Sequence, residues 1–174
     1  MGIAPDGHHI RMMEPGEAEQ LYALASTAGL FADEAPDLAD FVVWLLHHEI
    51  FVAEARSGRI SGFAAARDAT DLYWLSDLAI DPAFKGMGLR RALVAAVVAR
   101  AGWFFHRAVG LAVADEATAD WYRRRRFLAV APGEEPGELR RLARERPGRS
   151  VLGDDDAFPD DLVGTERTVM VHWL

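Results

Sequence analysis

Lys85-Gly86-Met87-Gly88 sets a cation beside two residues without side chains, and Arg90 and Arg91 follow within one helical turn. Backbone N–H groups in such a turn can come close to an anion, and a helix starting there adds the positive end of its dipole. The chemistry this supports is the holding of a phosphate. A dinucleotide-binding turn would want Gly or Ala where Arg91 stands, and an acidic residue about twenty positions on, which is missing. A nucleoside triphosphate loop would want Gly-Lys-Ser/Thr, and that is absent too.

The flanking residues must carry this turn on a strand and a helix. Residues 72–80 are rich in aromatic and branched side chains and are closed by Asp81-Pro82, a pair that cannot continue a ladder, so a strand ends there. From Leu89 the apolar positions Leu89, Ala92, Leu93, Ala96 and Val97 fall at helical spacing, with Gly102 as the expected cap.

This strand, turn and helix resembles motif A of the GCN5-related N-acetyltransferase (GNAT) superfamily, Arg/Gln-x-x-Gly-x-Gly/Ala. Lys85 takes the place of Arg or Gln, Gly88 matches, and Arg90 replaces the last Gly or Ala. Downstream, a short strand at Leu111-Ala112-Val113 precedes a stretch similar to the family's Asn-x-x-Ala-x-x-Leu/Phe-Tyr-x-x-x-Gly-Phe. There Asp115 stands for Asn, Thr118 for Ala, Trp121 and Tyr122 match, and Arg126 replaces the Gly before Phe127.

The resemblance implies an α/β GNAT fold: a mixed, mostly antiparallel sheet with a central splayed pair of parallel strands and about four flanking helices. It implies acetyl-coenzyme A as cofactor, with the pyrophosphate held by Lys85, Gly86, Met87, Gly88, Leu89, Arg90 and Arg91, and the pantetheine arm on the backbone of Leu78, Ala79 and Ile80. Asp115 joins this cofactor set. Tyr122 matches the family's general acid, whose phenol protonates the departing thiolate. The base stays open between Asp77, Asp71 and Glu54, with Asp77 on the central strand taken as the catalytic partner of Tyr122. The acceptor is then a primary amine of a small molecule or peptide. Because Arg90 and Arg126 occupy two Gly positions, a catalytically silent acyl-coenzyme A binding domain is the alternative, and an interaction protein gripping its partner by acidic residues is a third reading.

In chain order, residues up to Gly7 read as a loose end, and His8-His9 as solvated histidines rather than a metal site. A strand over residues 10–13 is expected, then helices over 17–28 and 37–48, the second with Leu38, Phe41, Val42, Leu45 and Leu46 on one face. By the resemblance, these helices and their link form one wall of the acceptor site, with Phe31, Ala32, Asp33 and Glu34 facing it; a solvated acidic loop is the other reading. Strands over residues 50–55 and 60–66 flank a turn at Ser57-Gly58. Trp103, Phe104 and Phe105 are expected to pack beneath the sheet. Pro-Gly pairs and dense charge mark residues 131–167 as an insertion between the last two strands of a single domain spanning 1–174. It holds a charged helix over 138–146 and an acidic loop with Asp154, Asp155, Asp156, Asp160 and Asp161 that lacks calcium-ligand spacing.

Composition agrees with one folded domain: 174 residues, 51% hydrophobic, 26% charged. With no Cys, disulfides, thiolate zinc sites and thiol nucleophiles are excluded, and a cytoplasmic protein without membrane attachment is expected. A net charge of -8 argues against a nucleic-acid partner and for a cationic acceptor. For the insertion three readings stay open: it closes over the acceptor site, it builds a homodimer, or it is a surface excursion without a role.

Overall fold

The computed structural model describes residues 4–31, 35–147 and 167–174. The order is β1 (His8–Met12), α1 (Ala18–Thr27), α2 (Leu38–Leu46), β2 (Glu49–Ala55), β3 (Ile60–Ala69), β4 (Leu72–Ile80), a 3₁₀ turn (Pro82–Phe84), α3 (Leu89–Trp103), β5 (Ala108–Val113), α4 (Glu116–Arg123), β6 (Leu128–Ala129), α5 (Gly137–Arg144) and β7 (Thr168–Trp173). The seven strands form one sheet in the order β1-β2-β3-β4-β5-β7-β6. Among the described strands only β4 and β5 pair in parallel, joined by the α3 crossover.

Both faces of the sheet are covered, which explains why β3 is buried from Ile60 to Ala66 without alternation. On one face α3 lays Leu89, Leu93 and Val97 against Phe51, Ala64 and Tyr73. On the other, Leu21, Leu24, Phe41, Trp44 and Leu45 of α1 and α2 meet Val52, Phe63, Ala65 and Ala79. A third cluster sets Leu139 and Leu142 of α5 on Trp74 and Val169. Gly110 makes room for Trp74, since a Cβ there would stand 2.9 Å from the indole ring. Glu49 ties the layers together, accepting from the Tyr73 hydroxyl and from Arg100, whose Nε donates at 2.8 Å.

Four expectations need correction. His8 and His9 begin β1 rather than trailing loose; the His8 ring meets Phe84 edge-on at 5.5 Å, and His9 lies 3.0 Å from Glu54. In α2 the buried face is Phe41, Trp44 and Leu45, while Leu46 is 76% exposed. Phe31 is buried in the α1–α2 core against Tyr22 and Phe41 and does not face an acceptor. Trp103, Phe104 and Phe105 do not pack beneath the sheet: they are 78%, 50% and 92% exposed, because α3 ends there and Phe105 takes a left-handed φ of 60° that turns the chain outward. Ala32, Asp33, Glu34 and the acidic loop lie outside the described residues. No helix among the described residues is long and apolar enough to cross a membrane.

Candidate functional site

The site begins with a defect in the ladder. Strands β3 and β4 pair from Leu72 to Ile80 with a register shift at Ala65/Ala66, which leaves Ser76 as an extra residue in β4. A bulge bends the strand and reverses the facing of the residues beyond it. Before it, Tyr73 and Leu75 belong to the α3 face; after it, Leu78 and Ile80 do, and Ala79 belongs to the α1–α2 face. Asp77 is in phase with Ala79. On the far side, β4 pairs with β5 only from Leu72–Ala108 to Leu75–Leu111. Beyond that, β5 stays with β7 up to Val113–Thr168. The two parallel strands therefore part, and Ser76 to Ile80 turn an unpaired backbone edge toward the gap.

The gap opens into a cleft of about 840 Å³. At one end stands the turn after the 3₁₀ segment. Gly86 and Gly88 have φ of 84° and 85°, a region L-residues with side chains resist. Space around them is open: a Cβ at Gly86 would meet nothing within 4 Å, and one at Gly88 only Pro5 Cγ at 3.7 Å. Helices α2 and α4 are capped by the side chains of Asp37 and Asp115, which accept from Asp40 N and Thr118 N, each at 2.8 Å. Helix α3 has Gly88 as its N-cap and no side-chain cap, so its first N–H groups face the cleft unshielded. Arg90 leaves this turn clear by laying its guanidinium 5.4 Å from the Trp121 ring centroid, and Arg125 stacks on the same ring at 3.5 Å.

Tyr122 and Asp77 both line this cleft. Tyr122, on α4, is 5% exposed, and burial pushes its phenol up to about 12. Asp77 keeps some contact with the cleft yet loses enough hydration that its pKa is pushed up to about 7, against the opposing pull of Arg167 and Arg146. Asp115 is held below its ordinary range by its bonds to Thr118.

Leu78, Ala79, Ile80, Lys85, Gly86, Gly88, Leu89, Arg90, Arg91 and Asp115 thus line one cleft with Asp77 and Tyr122; Met87, 45% exposed, does not. Of the other carboxylates weighed as a base, Asp71 is exposed in the turn before β4, and Glu54 is bound by Arg11 at 2.6 Å. Neither lines the cleft. The sequence reading misses Arg125, Arg146 and Arg167 as cleft residues, since the last two reach it from segments far from the motifs. The residues 28–30 after α1 also line it. Among the described residues, no three His, Asp or Glu are grouped to hold a metal.

A family model for the acetyltransferase (GNAT) domain matches residues 46–127. No curated protein matches the sequence. Among solved structures, the ribosomal-protein-S18-alanine N-acetyltransferase of Escherichia coli is similar at 16% identity and TM-score 0.67, over 95% of this chain and 93% of that one. A GNAT-family acetyltransferase of Staphylococcus aureus Mu50 matches at 13% identity and TM-score 0.69, over 96% and 99%. The N-acetylglutamate synthase of Neisseria gonorrhoeae, complexed with coenzyme A and N-acetyl-glutamate, matches at 18% and 0.69, over 96% of this chain but 35% of that one. The mixed sheet with its parallel central pair is the GNAT fold.

Proposed function

We propose that the chain, whose residues 46–127 match the acetyltransferase (GNAT) domain model, is an acetyl-coenzyme A-dependent N-acetyltransferase acting on a primary amine of a small molecule or peptide. The observation that carries this is the parting of β4 and β5 after Leu75 and Leu111, with an uncapped helix N-terminus at one end of the gap and a buried phenol beside it. By their names, two of the similar structures form amides on an alanine and on glutamate, in line with an amine acceptor.

The residues fit the cofactor. Lys85 and Arg91, with the free N–H groups after Gly86 and Gly88, meet the charge of a pyrophosphate while Arg90 stays against Trp121, and the exposed edge of Leu78 to Ile80 offers an extended arm the bonds of a missing strand. Acetyl-coenzyme A supplies the acetyl group as a thioester. N–H groups of the β4 edge polarise the carbonyl. Asp77, half ionised near neutral pH, takes the proton that the attacking amine must lose. Tyr122 keeps its proton across the working range and gives it to the departing sulfur. In this reading the whole chain is one acetyltransferase domain with an insertion at residues 131–167, and the location is cytoplasmic.

Acetyl-coenzyme A is expected to raise the melting temperature, with about 2.7 kcal/mol gained at a hundredfold excess over Kd. Gly88→Glu, which adds a carboxylate where phosphate must lie, is expected to abolish the shift. Thiol release in the presence of an amine panel then reads turnover. No shift with millimolar ligand would sink the reading.

A further inference from the structure

We propose that Ser76 and His48 form a nucleophile and base pair through which the chain also hydrolyses acetyl-coenzyme A, by way of an acetyl ester on Ser76. The inference rests on the acetyl-transfer reading of the cleft and adds a second activity to it.

Ser76 is the extra residue of the β4 bulge and lines the cleft, with Asp77 directly after it. Its Oγ lies 2.9 Å from Nε2 of His48, the second residue after α2. Nδ1 of His48 lies 2.7 Å from the Trp44 carbonyl oxygen, and the Trp44 indole packs on the imidazole with ring centroids 4.4 Å apart. A carbonyl only accepts, so the ring proton sits on Nδ1 and the lone pair of Nε2 is aimed at the serine hydroxyl. A hydroxyl bonded to a base that is itself held by a third group is the arrangement that activates a serine. A bond that served only to tie α2 to β4 would not need its hydroxyl on a cleft. Burial pushes His48 down to about 4, so the ring is neutral and able to accept across the neutral range. It is a weak base for the same reason, and hydrolysis is expected to be slow.

The place of Ser76 along β4 suits the role. The gap between β4 and β5 closes at Leu75 and Leu111, so Ser76 and Asp77 stand at its blind end, farthest along the strand from the Gly86–Gly88 turn. An arm laid from that turn along Ile80 to Leu78 brings its acyl end there. Oγ of Ser76 attacks the acetyl carbon, forming a C–O bond as the C–S bond breaks. Nε2 of His48 takes the hydroxyl proton, and Tyr122 gives its own proton to the departing sulfur. Asp77 then takes a proton from the water that attacks the ester, and Oγ leaves with the proton that His48 holds. The acetic acid formed returns a proton to the Tyr122 oxygen, and Asp77 loses its proton to solvent. The products are acetate, the coenzyme A thiol and one proton, with no change of oxidation state.

The chain has no Cys, so thiol released from acetyl-coenzyme A without any amine reads hydrolysis directly. The acid-quenched full chain is also read by mass, and peptide mapping with hydroxylamine separates a labile serine ester from a stable amide at Lys85 or the N-terminus. A second donor, p-nitrophenyl acetate, needs no phosphate seat. Thiol release above the blank is expected, with one acetyl group on Ser76 from either donor. Ser76→Ala is expected to lose the ester and to hydrolyse at the blank rate. His48→Gln keeps the hydroxyl and is expected to slow acetylation of Ser76 by about a hundredfold. If either variant does not fold, the mapping of the wild-type chain decides. Hydrolysis at the blank rate with Ser76 unmodified by both donors, or hydrolysis that is unchanged in both variants, overturns the proposal. Without a melting shift from acetyl-coenzyme A the cofactor reading fails by itself, and p-nitrophenyl acetate still decides the pair: an unmodified Ser76 overturns it.

Discussion

Nε2 of His48 lies 2.9 Å from Oγ of Ser76, tying the turn after α2 to the bulge in β4. The other ring nitrogen, Nδ1, is 2.7 Å from the carbonyl oxygen of Trp44. A carbonyl only accepts, so Nδ1 carries the proton and Nε2 accepts from the Ser76 hydroxyl, and one neutral tautomer satisfies both bonds. Burial, helped by Arg67, pushes the imidazole down to about 4.

Ser76→Ala removes the donor and leaves a buried nitrogen unsatisfied at the residue where β4 changes facing. The expected cost is about 1–3 kcal/mol, read as a lower urea midpoint with an unchanged slope. A midpoint equal to that of the wild type would mean that Nε2 finds another donor.

Stability should respond to pH through two groups of opposite sign. Asp77 holds its proton more tightly in the folded chain, at about 7 against an ordinary 3.8, so its contribution is full below about pH 4 and is lost as pH rises to 7. His48 sheds its proton more readily when folded, at about 4 against 6.5, so its contribution is full above 6.5 and is lost as pH falls to 4. The windows overlap and largely offset each other. Asp77→Asn is expected to expose the His48 limb: the variant gains on the wild type at pH 8 and much less at pH 4. Equal differences at both pH values would show that Asp77 ionises as in the unfolded chain. In turnover, the rate is expected to climb through about pH 7 and to lose that limb in the variant.

Tyr122→Phe keeps the ring between Trp121 and Phe127 and removes only the proton. Acetyl-coenzyme A affinity is expected within a few-fold of wild type, with the chemical step slowed on the order of a hundredfold. Single-turnover kinetics separates the two, and an unchanged chemical step would make Tyr122 a packing residue.

Arg126 closes α4 with a φ of 66°, its N–H donating to the Arg123 carbonyl at 3.0 Å. The motif it resembles has Gly there, the residue with least resistance to that conformation. Arg126→Gly is expected to relieve strain of about 1 kcal/mol, partly offset by the added freedom of the unfolded chain. A rise of a few degrees in melting temperature at most would result. A fall would mean that the Arg126 side chain contributes more than its backbone costs.

Most of the scaffold is legible in the sequence because its signals are local. Strands β2 to β4, the turn and the start of α3 lie within a few residues of their expected bounds, since turn residues and changes of apolar period sit beside the elements they delimit. The features that escape such a reading depend on distant partners. Aromaticity at Trp103–Phe105 signals burial only where a surface waits to cover it, and the end of α3 supplies none. Trp44 completes a buried face with Phe41 and Leu45, where the expected stripe has Leu38, Val42 and Leu46 beside those two and omits Trp44. The convergence of Arg146 and Arg167 on Asp77 spans most of the chain, and no local pattern announces it.

An unpaired strand edge is ordinarily a hazard, because a neighbouring molecule can add its own strand to it. Here the bare stretch from Ser76 to Ile80 sits in mid-sheet, flanked by β3 on one side and facing β5 across a gap that opens only past Leu75. Another protein's sheet cannot enter such a notch, whereas a single slender chain can. The fold thus keeps the adhesiveness of a sheet margin while denying it to other copies, and selects its guest by girth before any side chain is consulted. Drift in the side chains along that stretch would leave this filter in place.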